Sequence, residues 1–166
     1  ISENNTLTNT INHRFYSQYF DNNVFSLSML LKTANSISGD DVKLSERLNV
    51  PSSRLRGFES GKVGPKDGND FIGGNYVYAL NATTTMPQLF QNLQNLDLSL
   101  FFDAANVWGV DYDSALSDSS KIRSSVGIAI DLFTPVGPMS FSLAETITQE
   151  DSDITESFRF RIGTTF

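Results

Sequence analysis

The last nine residues of the chain alternate apolar with polar side chains, and this alternation limits the fold more than any other feature. Successive side chains of a β-strand point to opposite faces of a sheet, so an apolar face would lie opposite a polar one. The apolar side chains are Phe158, Phe160, Ile162 and Phe166, and the polar ones are Arg159, Arg161 and Thr165. One face suits lipid and the other suits water, which is typical of a transmembrane β-barrel strand. The edge strand of a sandwich and a strand of a soluble barrel alternate in the same way, so this segment alone leaves both alternatives open.

Composition excludes several other classes of protein. The 166 residues include no cysteine and one histidine, which rules out a disulfide scaffold, a thiolate metal site and a cysteine nucleophile. No run approaches the roughly 18 apolar residues that a transmembrane helix requires. The 13 phenylalanines and 5 tyrosines, among many small polar residues, are instead typical of outer-membrane barrels. Because phosphate binding requires clustered lysine and arginine, the net charge of −7 argues against a nucleic-acid partner.

Seven segments have the pattern of β-strands. They lie at about 10–20, 24–38, 73–85, 96–108, 122–133, 139–147 and 157–166. In several of them an apolar set opposes a polar one, as where Leu100 and Phe102 alternate with Ser99 and Asp103. A dry sandwich core would require dense pairing of such polar groups, whereas a hydrated barrel interior accepts them.

The connections between these strands alternate short with long. The short ones are 21–23, 86–95 and 134–138, and the long ones are 39–72, 109–121 and 148–156. Outer-membrane barrels have short periplasmic turns and longer external loops. With a periplasmic carboxy-terminus, every long connection would lie outside the cell. The sequence therefore predicts an all-β fold, an antiparallel transmembrane β-barrel in the outer membrane.

Seven strands do not close such a barrel, because open edges would leave backbone groups unsatisfied in hydrocarbon. The residues 1–5 include no initiator methionine and no signal-peptide features. We therefore expect residues 1–166 to be the carboxy-terminal portion of a barrel domain, with the missing strands upstream of Ile1.

The sequence contains no motif of catalytic chemistry. No nucleophile elbow and no glycine-rich phosphate loop is present. His13, between Asn12 and Arg14, fits a strand lining a hydrated interior. The three aspartates Asp111, Asp113 and Asp118 lack the spacing of a calcium loop and read as solvated. We expect no enzymatic activity, no metal and no cofactor.

The connection at 39–72 is longer than a hairpin requires, and loops of this length are usually functional or disordered. Its centre reads Arg54-Leu55-Arg56-Gly57-Phe58-Glu59-Ser60-Gly61-Lys62-Val63-Gly64-Pro65. Four turn-forming residues, an aromatic ring and alternating charges predict a compact, folded excursion.

Here the chain resembles the BamA-type outer-membrane assembly factors. The residues 55–58 are similar to that family's hydrophobic-Arg-Gly-Phe loop motif, and Gly64-Pro65 and Gly73-Gly74-Asn75 follow it in register. Further similarities are 102–108, 134–138 and Ile162-Gly163. These motifs occur in the same order as in the family, which makes the resemblance specific, although the first 50 residues contribute only generic strand character.

The resemblance implies a barrel of roughly sixteen strands, of which this chain would be about the last seven, with the 39–72 loop folded into the lumen. It implies a functional loop motif of Leu55, Arg56, Gly57 and Phe58, in which Arg56 contacts the inner-wall carboxylate of Asp103. Many relatives carry a glutamate on the strand after the loop, where this sequence has Thr83 by our register. We therefore expect Asp103 to pair with Arg56 alone.

The resemblance also implies a function. Such proteins fold and insert other β-barrel proteins through a lateral seam. The seam strand here would contain Phe158, Phe160, Ile162, Gly163 and Phe166, with Gly163 as a kink point. The implied partners are unfolded outer-membrane protein clients, membrane lipids and accessory assembly lipoproteins. A polypeptide-secretion pore of the same superfamily is an alternative, and a passive porin is a weaker one because it does not require the folded loop.

Overall fold

The structure, a computed structural model, describes residues 5–20, 23–86, 95–111, 116, 118–135 and 137–163. Its strands are β1 (Thr6–Gln18), β2 (Val24–Ser36), β3 (Gly57–Phe58), β4 (Lys66–Asp67), β5 (Asp70–Phe71), β6 (Tyr76–Thr85), β7 (Leu96–Trp108), β8 (Arg123–Thr134), β9 (Gly137–Thr148), β10 (Thr155–Glu156) and β11 (Phe158–Ile162). One 3-10 turn covers Leu44–Glu46. Within the described residues, no helix has the length and apolar character needed to cross a membrane.

The seven long strands form one antiparallel sheet in the order β1-β2-β6-β7-β8-β9-β11. The predicted all-β antiparallel fold is confirmed, and each predicted strand has a counterpart. The largest differences lie at the ends of the chain. β1 begins at Thr6 rather than at about 10, and β11 ends at Ile162, so that Gly163 lies outside the strand. Residues 164–166 lie outside the described part of the chain.

The two faces of the sheet differ in chemistry. We call the side that carries the 39–72 connection the loop face, and the opposite side the outer face. Strand pairing places one row of polar side chains across five strands of the loop face: Arg14, Ser28, Asn81, Asp103 and Ser125. The outer face carries exposed apolar side chains, including Ile11, Phe15, Leu100, Phe102, Val126, Ile128, Leu143, Phe158, Phe160 and Ile162. The outer face is therefore apolar, as the alternation predicts, whereas the loop face carries this polar row beside the apolar side chains that the loop covers.

The strand that carries His13 lines the loop face through Asn12 and Arg14, as expected, but His13 itself does not lie on that face. Its Cα partner is Met29, which lies between two residues whose side chains face the loop, Ser28 and Leu30. His13 therefore shares the outer face with Ile11 and Phe15. Polar neighbours on both sides of a strand residue indicate that this residue points the other way.

The terminal strand leaves the sheet early. β11 pairs with β9 over five residues only, up to the pair Phe158 and Leu143, although β9 continues to Thr148. In that register the next outward position would bring Glu156 opposite Glu145. Like charges directly opposite each other destabilise a sheet, and charges on a lipid-suited face add a further cost. The chain instead turns at Ser157, and β10 pairs with β3 in the loop.

Gly127 allows close packing on the loop face. A Cβ at this position would lie 2.0 Å from the backbone oxygen of Leu143 and 2.6 Å from Cζ of Phe101. We expect Gly127→Ala to destabilise the barrel by about 1–3 kcal/mol, the usual cost of overpacking. Unfolding of the full-length protein in detergent, followed by heat-dependent gel mobility, measures the effect. Gly163→Ala is the control, because a Cβ there meets no described atom within 4 Å. Equal stability of the two variants would contradict this account.

Candidate functional site

Apolar side chains of the long loop pack on the loop face of the central strands. The buried cluster joins four loop residues to five sheet residues: Val50, Leu55, Phe58 and Val63 with Leu30, Val77, Ala79, Ala105 and Val107. The two alanines are fully buried and provide room for larger loop side chains. Burial of this apolar surface is the main source of attraction between loop and sheet.

Between Leu55 and Phe58, the side chain of Arg56 points to the loop face of the sheet. The guanidinium of Arg56 donates from Nε to Oδ2 of Asp103 at 2.7 Å and from Nη2 to Oδ1 at 2.8 Å. The backbone N–H of Arg56 donates to Oδ2 at 3.0 Å, and Nδ2 of Asn81 donates to Oδ1 at 2.8 Å. The Asp103 side chain is fully buried. A two-pronged contact of this kind is among the strongest hydrogen-bonded pairs in proteins, and only arginine has the geometry for it.

An aromatic ring completes the seat of Arg56. The Cζ atom of Arg56 lies 3.4 Å from the ring centroid of Phe101, which gives a close cation–π contact. Phe101 is paired directly with Gly127, whose missing side chain leaves space for the ring. Neither Phe101 nor Gly127 was identified as a site residue from the sequence. The sequence signal was that Phe101, a large aromatic residue, lies on the same face of its strand as the polar residues Ser99 and Asp103.

Gly57 has a backbone conformation with positive φ, which glycine adopts more readily than other residues. Its φ is +88°, which disfavours any side chain, and a Cβ would lie 3.0 Å from Cβ of Ser125. The carbonyls around it are satisfied by the wall, because Ser125 Oγ donates to the oxygen of Arg56 and Thr146 Oγ1 donates to the oxygen of Gly57 at 3.3 Å. The Arg-Gly step therefore lies directly against β8 and β9.

Arg54 is a second anchor that the sequence analysis did not assign. Its side chain donates to Asn12 Oδ1 at 3.0 Å, to Asn81 Oδ1 at 3.1 Å and to Ser28 Oγ. Asn81 returns a bond from Nδ2 to the Arg54 backbone oxygen at 2.8 Å. The loop is thus attached to β1, β2 and β6 as well as to β7.

Asn81, rather than Thr83, stands beside Asp103. Strand pairing sets Asn81 opposite Asp103 and Thr83 opposite Phe101. Among the described residues, the only acidic partner of Arg56 is Asp103. Asn81 contributes a neutral donor, so a single carboxylate faces the guanidinium.

The terminal strand carries its apolar residues outward, as expected. Phe158, Phe160 and Ile162 are 54%, 43% and 62% exposed on the outer face. Gly163 follows the strand, and its N–H donates to the oxygen of Pro138 at 3.2 Å. Phe166, the last predicted seam residue, lies outside the described part of the chain.

A second polar cluster closes the base of the loop, beyond the end of β7. Oδ1 of Asp111 accepts from Nη2 of Arg47 at 2.6 Å, and Oδ2 accepts from the Val42 N–H at 3.1 Å and from Asn75 Nδ2 at 2.9 Å. Asp111 was expected to be solvated, and it is exposed, but its carboxylate also accepts hydrogen bonds from three protein donors. Burial alone would raise its pKa, but these hydrogen bonds and the charge of Arg47 outweigh burial and lower the pKa.

The connection at 148–156 is attached in a similar way. Arg123, at the start of β8, forms a two-pronged pair with Asp153, at 2.9 Å from Nε and 3.1 Å from Nη2, and both side chains are buried. Lys121 and Asn106 supply further acceptors for Nη1 of Arg123. Sequence spacing gave no signal for this pair, because Arg123 lies on β8 and Asp153 lies in the 148–156 connection, 30 residues further along the chain.

The fold and the site define a class of protein. A polar loop face with a folded loop seated on it, opposite an apolar outer face, is the arrangement of an outer-membrane β-barrel wall. The family model described as the Omp85 superfamily domain matches residues 2–166. The chain belongs to the Omp85 superfamily, and the protein is an outer-membrane β-barrel protein.

Individual relatives agree with this assignment. The chain is 31% identical over 139 residues to outer membrane protein assembly factor BamA of Neisseria meningitidis serogroup B, a match covering 68% of this chain and 17% of the relative. It is 26% identical over 145 residues to BamA of Neorickettsia risticii, covering 84% of this chain and 19% of that protein. It is also similar to the crystal structure of BamA from Haemophilus ducreyi lacking POTRA domains 1–3. There the TM-score is 0.80 and the identity is 28%, covering 97% of this chain and 35% of that one. The chain thus spans less than a fifth of the length of the two BamA relatives.

The contact between the Phe101 ring and Arg56 can be tested by substitution. Phe101→Leu keeps an apolar side chain but removes the cation–π contact, which contributes about 2 kcal/mol when it is desolvated. We expect the loop to become more accessible to protease in the folded, full-length protein. Phe102→Leu is the matched control, because Phe102 points to the outer face. Equal protease sensitivity of the two variants would contradict a role for the ring in seating the loop.

The Asp111 cluster predicts a pH dependence. Because the pKa of Asp111 is lowered in the folded state, its stabilising effect is present above the unfolded value of about 3.9 and is lost as the pH falls through the lower folded value. Hydrogen exchange of the Val42 amide, corrected for the intrinsic rate, should therefore show protection near neutral pH that disappears in acid. In Asp111→Asn the protection should be lower and independent of this titration. Superimposable pH profiles for the two proteins would be inconsistent with the cluster.

Proposed function

We propose that this chain forms part of an outer-membrane protein insertase, which folds and inserts β-barrel proteins into the outer membrane. The observation that carries the proposal is the Arg56 loop motif seated on Asp103 in a sheet of the Omp85 superfamily. Support also comes from the relatives whose names describe outer-membrane protein assembly. In this proposal the loop enters from the external side and lies folded in the barrel lumen.

The proposed activity involves no chemical catalysis and no cofactor. Its energy comes from strand pairing, since an under-paired edge in lipid leaves backbone N–H and C=O groups unsatisfied and recruits a strand that satisfies them. The clients would be unfolded outer-membrane proteins, in contact with membrane lipids. Accessory assembly lipoproteins are further proposed partners, and nucleic acid is not one.

The proposed exit for the client is a lateral seam at the terminal strand. β11 is the last strand of the sheet order, and its ladder to β9 covers only five residues. Its outward side chains suit lipid, and Gly163, at the end of the described strand, is the proposed kink point. In the full-length protein the free edge of β11 would pair with the first barrel strand, and during assembly with a client strand.

A secretion pore of the same superfamily would use the same loop motif. Depletion of the protein separates the two proposals, because loss of an insertase lowers the level of many outer-membrane proteins, whereas loss of a secretion pore retains one exported polypeptide. A passive porin would conduct ions steadily in planar bilayers, and the loop seated across the loop face argues against that.

The topology can be tested with engineered thiols, because the chain has no cysteine of its own. We expect Asp151→Cys, in the long 148–156 connection, to react with an impermeant maleimide on intact cells. Asn95→Cys, at the end of a short connection, should react only after the outer membrane is permeabilised. The reverse order of labelling would overturn the proposed orientation.

The lateral seam can be locked. A disulfide between Ile162→Cys and a cysteine at the facing position of the first barrel strand should stop assembly of client barrels in cells and leave the fold intact. Addition of a reductant should restore assembly, and each single-cysteine variant should be active throughout. If the oxidised, cross-linked protein assembled clients at the normal rate, the seam proposal would be wrong.

A further inference from the structure

One arginine of the terminal strand β11 is hydrogen-bonded to the loop at two points, before the motif and at the last residue of the motif. Arg159 lies on the loop face of β11 with its side chain 10% exposed. Its Nη1 donates to the backbone oxygen of Ser52 at 2.6 Å, and its Nη2 donates to the backbone oxygen of Phe58. Its Nε donates to Oε2 of Glu156 at 2.8 Å. A single guanidinium thus holds two loop carbonyls and the chain segment that leads into its own strand.

The backbone reinforces this connection. Gly57–Phe58 pairs antiparallel with Thr155–Glu156. The N–H of Glu59 donates to the oxygen of Ile154 at 2.8 Å, and the N–H of Ile154 donates to the oxygen of Lys62 at 3.0 Å. The loop motif therefore takes up the residues that would otherwise extend the terminal strand along β9.

The other side of the same loop segment is fixed to the wall. Arg56 holds Asp103 on β7, and Arg54 reaches β1, β2 and β6. The terminal strand has few contacts of its own, because its ladder to β9 is short. The position of β11 near Ser157 therefore depends on the position of the loop. The position of the loop depends in turn on its contacts with the loop face of the sheet.

We propose that Arg159 is a positioning residue that transmits the seating of the loop motif to the terminal strand. With the loop seated, Arg159 keeps Thr155–Glu156 on the loop and ends the β9–β11 ladder at Ser157. When the loop is displaced from the wall, that end of the strand is released. The coupling is a property of this chain, and its consequence for client insertion rests on the proposed function.

Arg161 provides a matched control. It lies on the same strand and the same face and carries the same charge, but it lines a cavity of about 550 Å³ between loop and sheet. A general effect of removing positive charge from β11 would appear equally at both positions. A coupling through the loop carbonyls would appear only at Arg159.

Hydrogen exchange of the full-length protein in lipid nanodiscs, without any client, tests the proposal. The readouts are peptides covering 158–162 and 57–62. We expect Arg159→Ala to accelerate exchange in both by about tenfold, since one hydrogen bond from a charged donor contributes roughly that factor. Arg161→Ala should leave both at the wild-type rate. Arg159→Lys, which keeps the charge but loses the planar fork, should give an intermediate rate and replaces the alanine variant if that one does not fold.

A second variant tests whether displacement of the loop reaches β11 through Arg159, or whether Arg159 stabilises β11 only locally. Gly57→Ala displaces the loop through its Cβ contact with Ser125 and its strained φ. It should accelerate exchange at 158–162 in the wild-type background and add nothing in the Arg159→Ala background. Equal effects of the two arginine variants, or additive effects of Gly57→Ala and Arg159→Ala, would overturn the proposal. Loss of client assembly in Arg159→Ala with unchanged exchange would also overturn it, while leaving the insertase proposal in place.

Discussion

The arrangement of this sheet and its loop depends on one buried carboxylate. Asp103 is fully buried in the middle of the wall. A buried charge without partners is strongly destabilising, so this residue requires donors. Among the described residues, one donor is Asn81 on the neighbouring strand, and the other three belong to Arg56 in the loop. The wall is therefore incomplete until the loop is seated.

The rest of the site follows from the need to bring that guanidinium to the wall. Leu55 and Phe58, which flank Arg56-Gly57 in the sequence, pack in the buried cluster and supply the apolar attraction, while Gly57 allows the backbone to approach Ser125. Phe101 covers the guanidinium and shields it from water, which strengthens its interaction with Asp103. Because β10 and Arg159 attach the terminal strand to the same loop, the buried carboxylate influences the edge of the sheet as well as its centre.

The strands and the two residues of the central ion pair, Arg56 and Asp103, could be predicted from the sequence. Period-two alternation locates strands well when one face meets lipid, because any slip in register would turn apolar side chains inward. Arg56 and Asp103 could be named because a family motif carries them. The remaining contacts depend on register between distant segments, which the alternation does not contain. In the register of β6 and β7, for example, Asp103 faces Asn81, which lies two residues before Thr83. Arg54, Arg159 and Asp111 find partners that come together only after the loop folds.

The most direct test of the account is a double-mutant cycle on the central pair. Loop protection from protease would be measured in the full-length protein for Arg56→Ala, Asp103→Asn and the double variant. If Asp103 requires the loop, Arg56→Ala leaves a buried charge without its main partner, and Asp103→Asn in the same chain should restore much of the lost protection. The double variant should then be better protected than Arg56→Ala alone. Additive losses in the double variant would contradict the dependence of the wall on the seated loop.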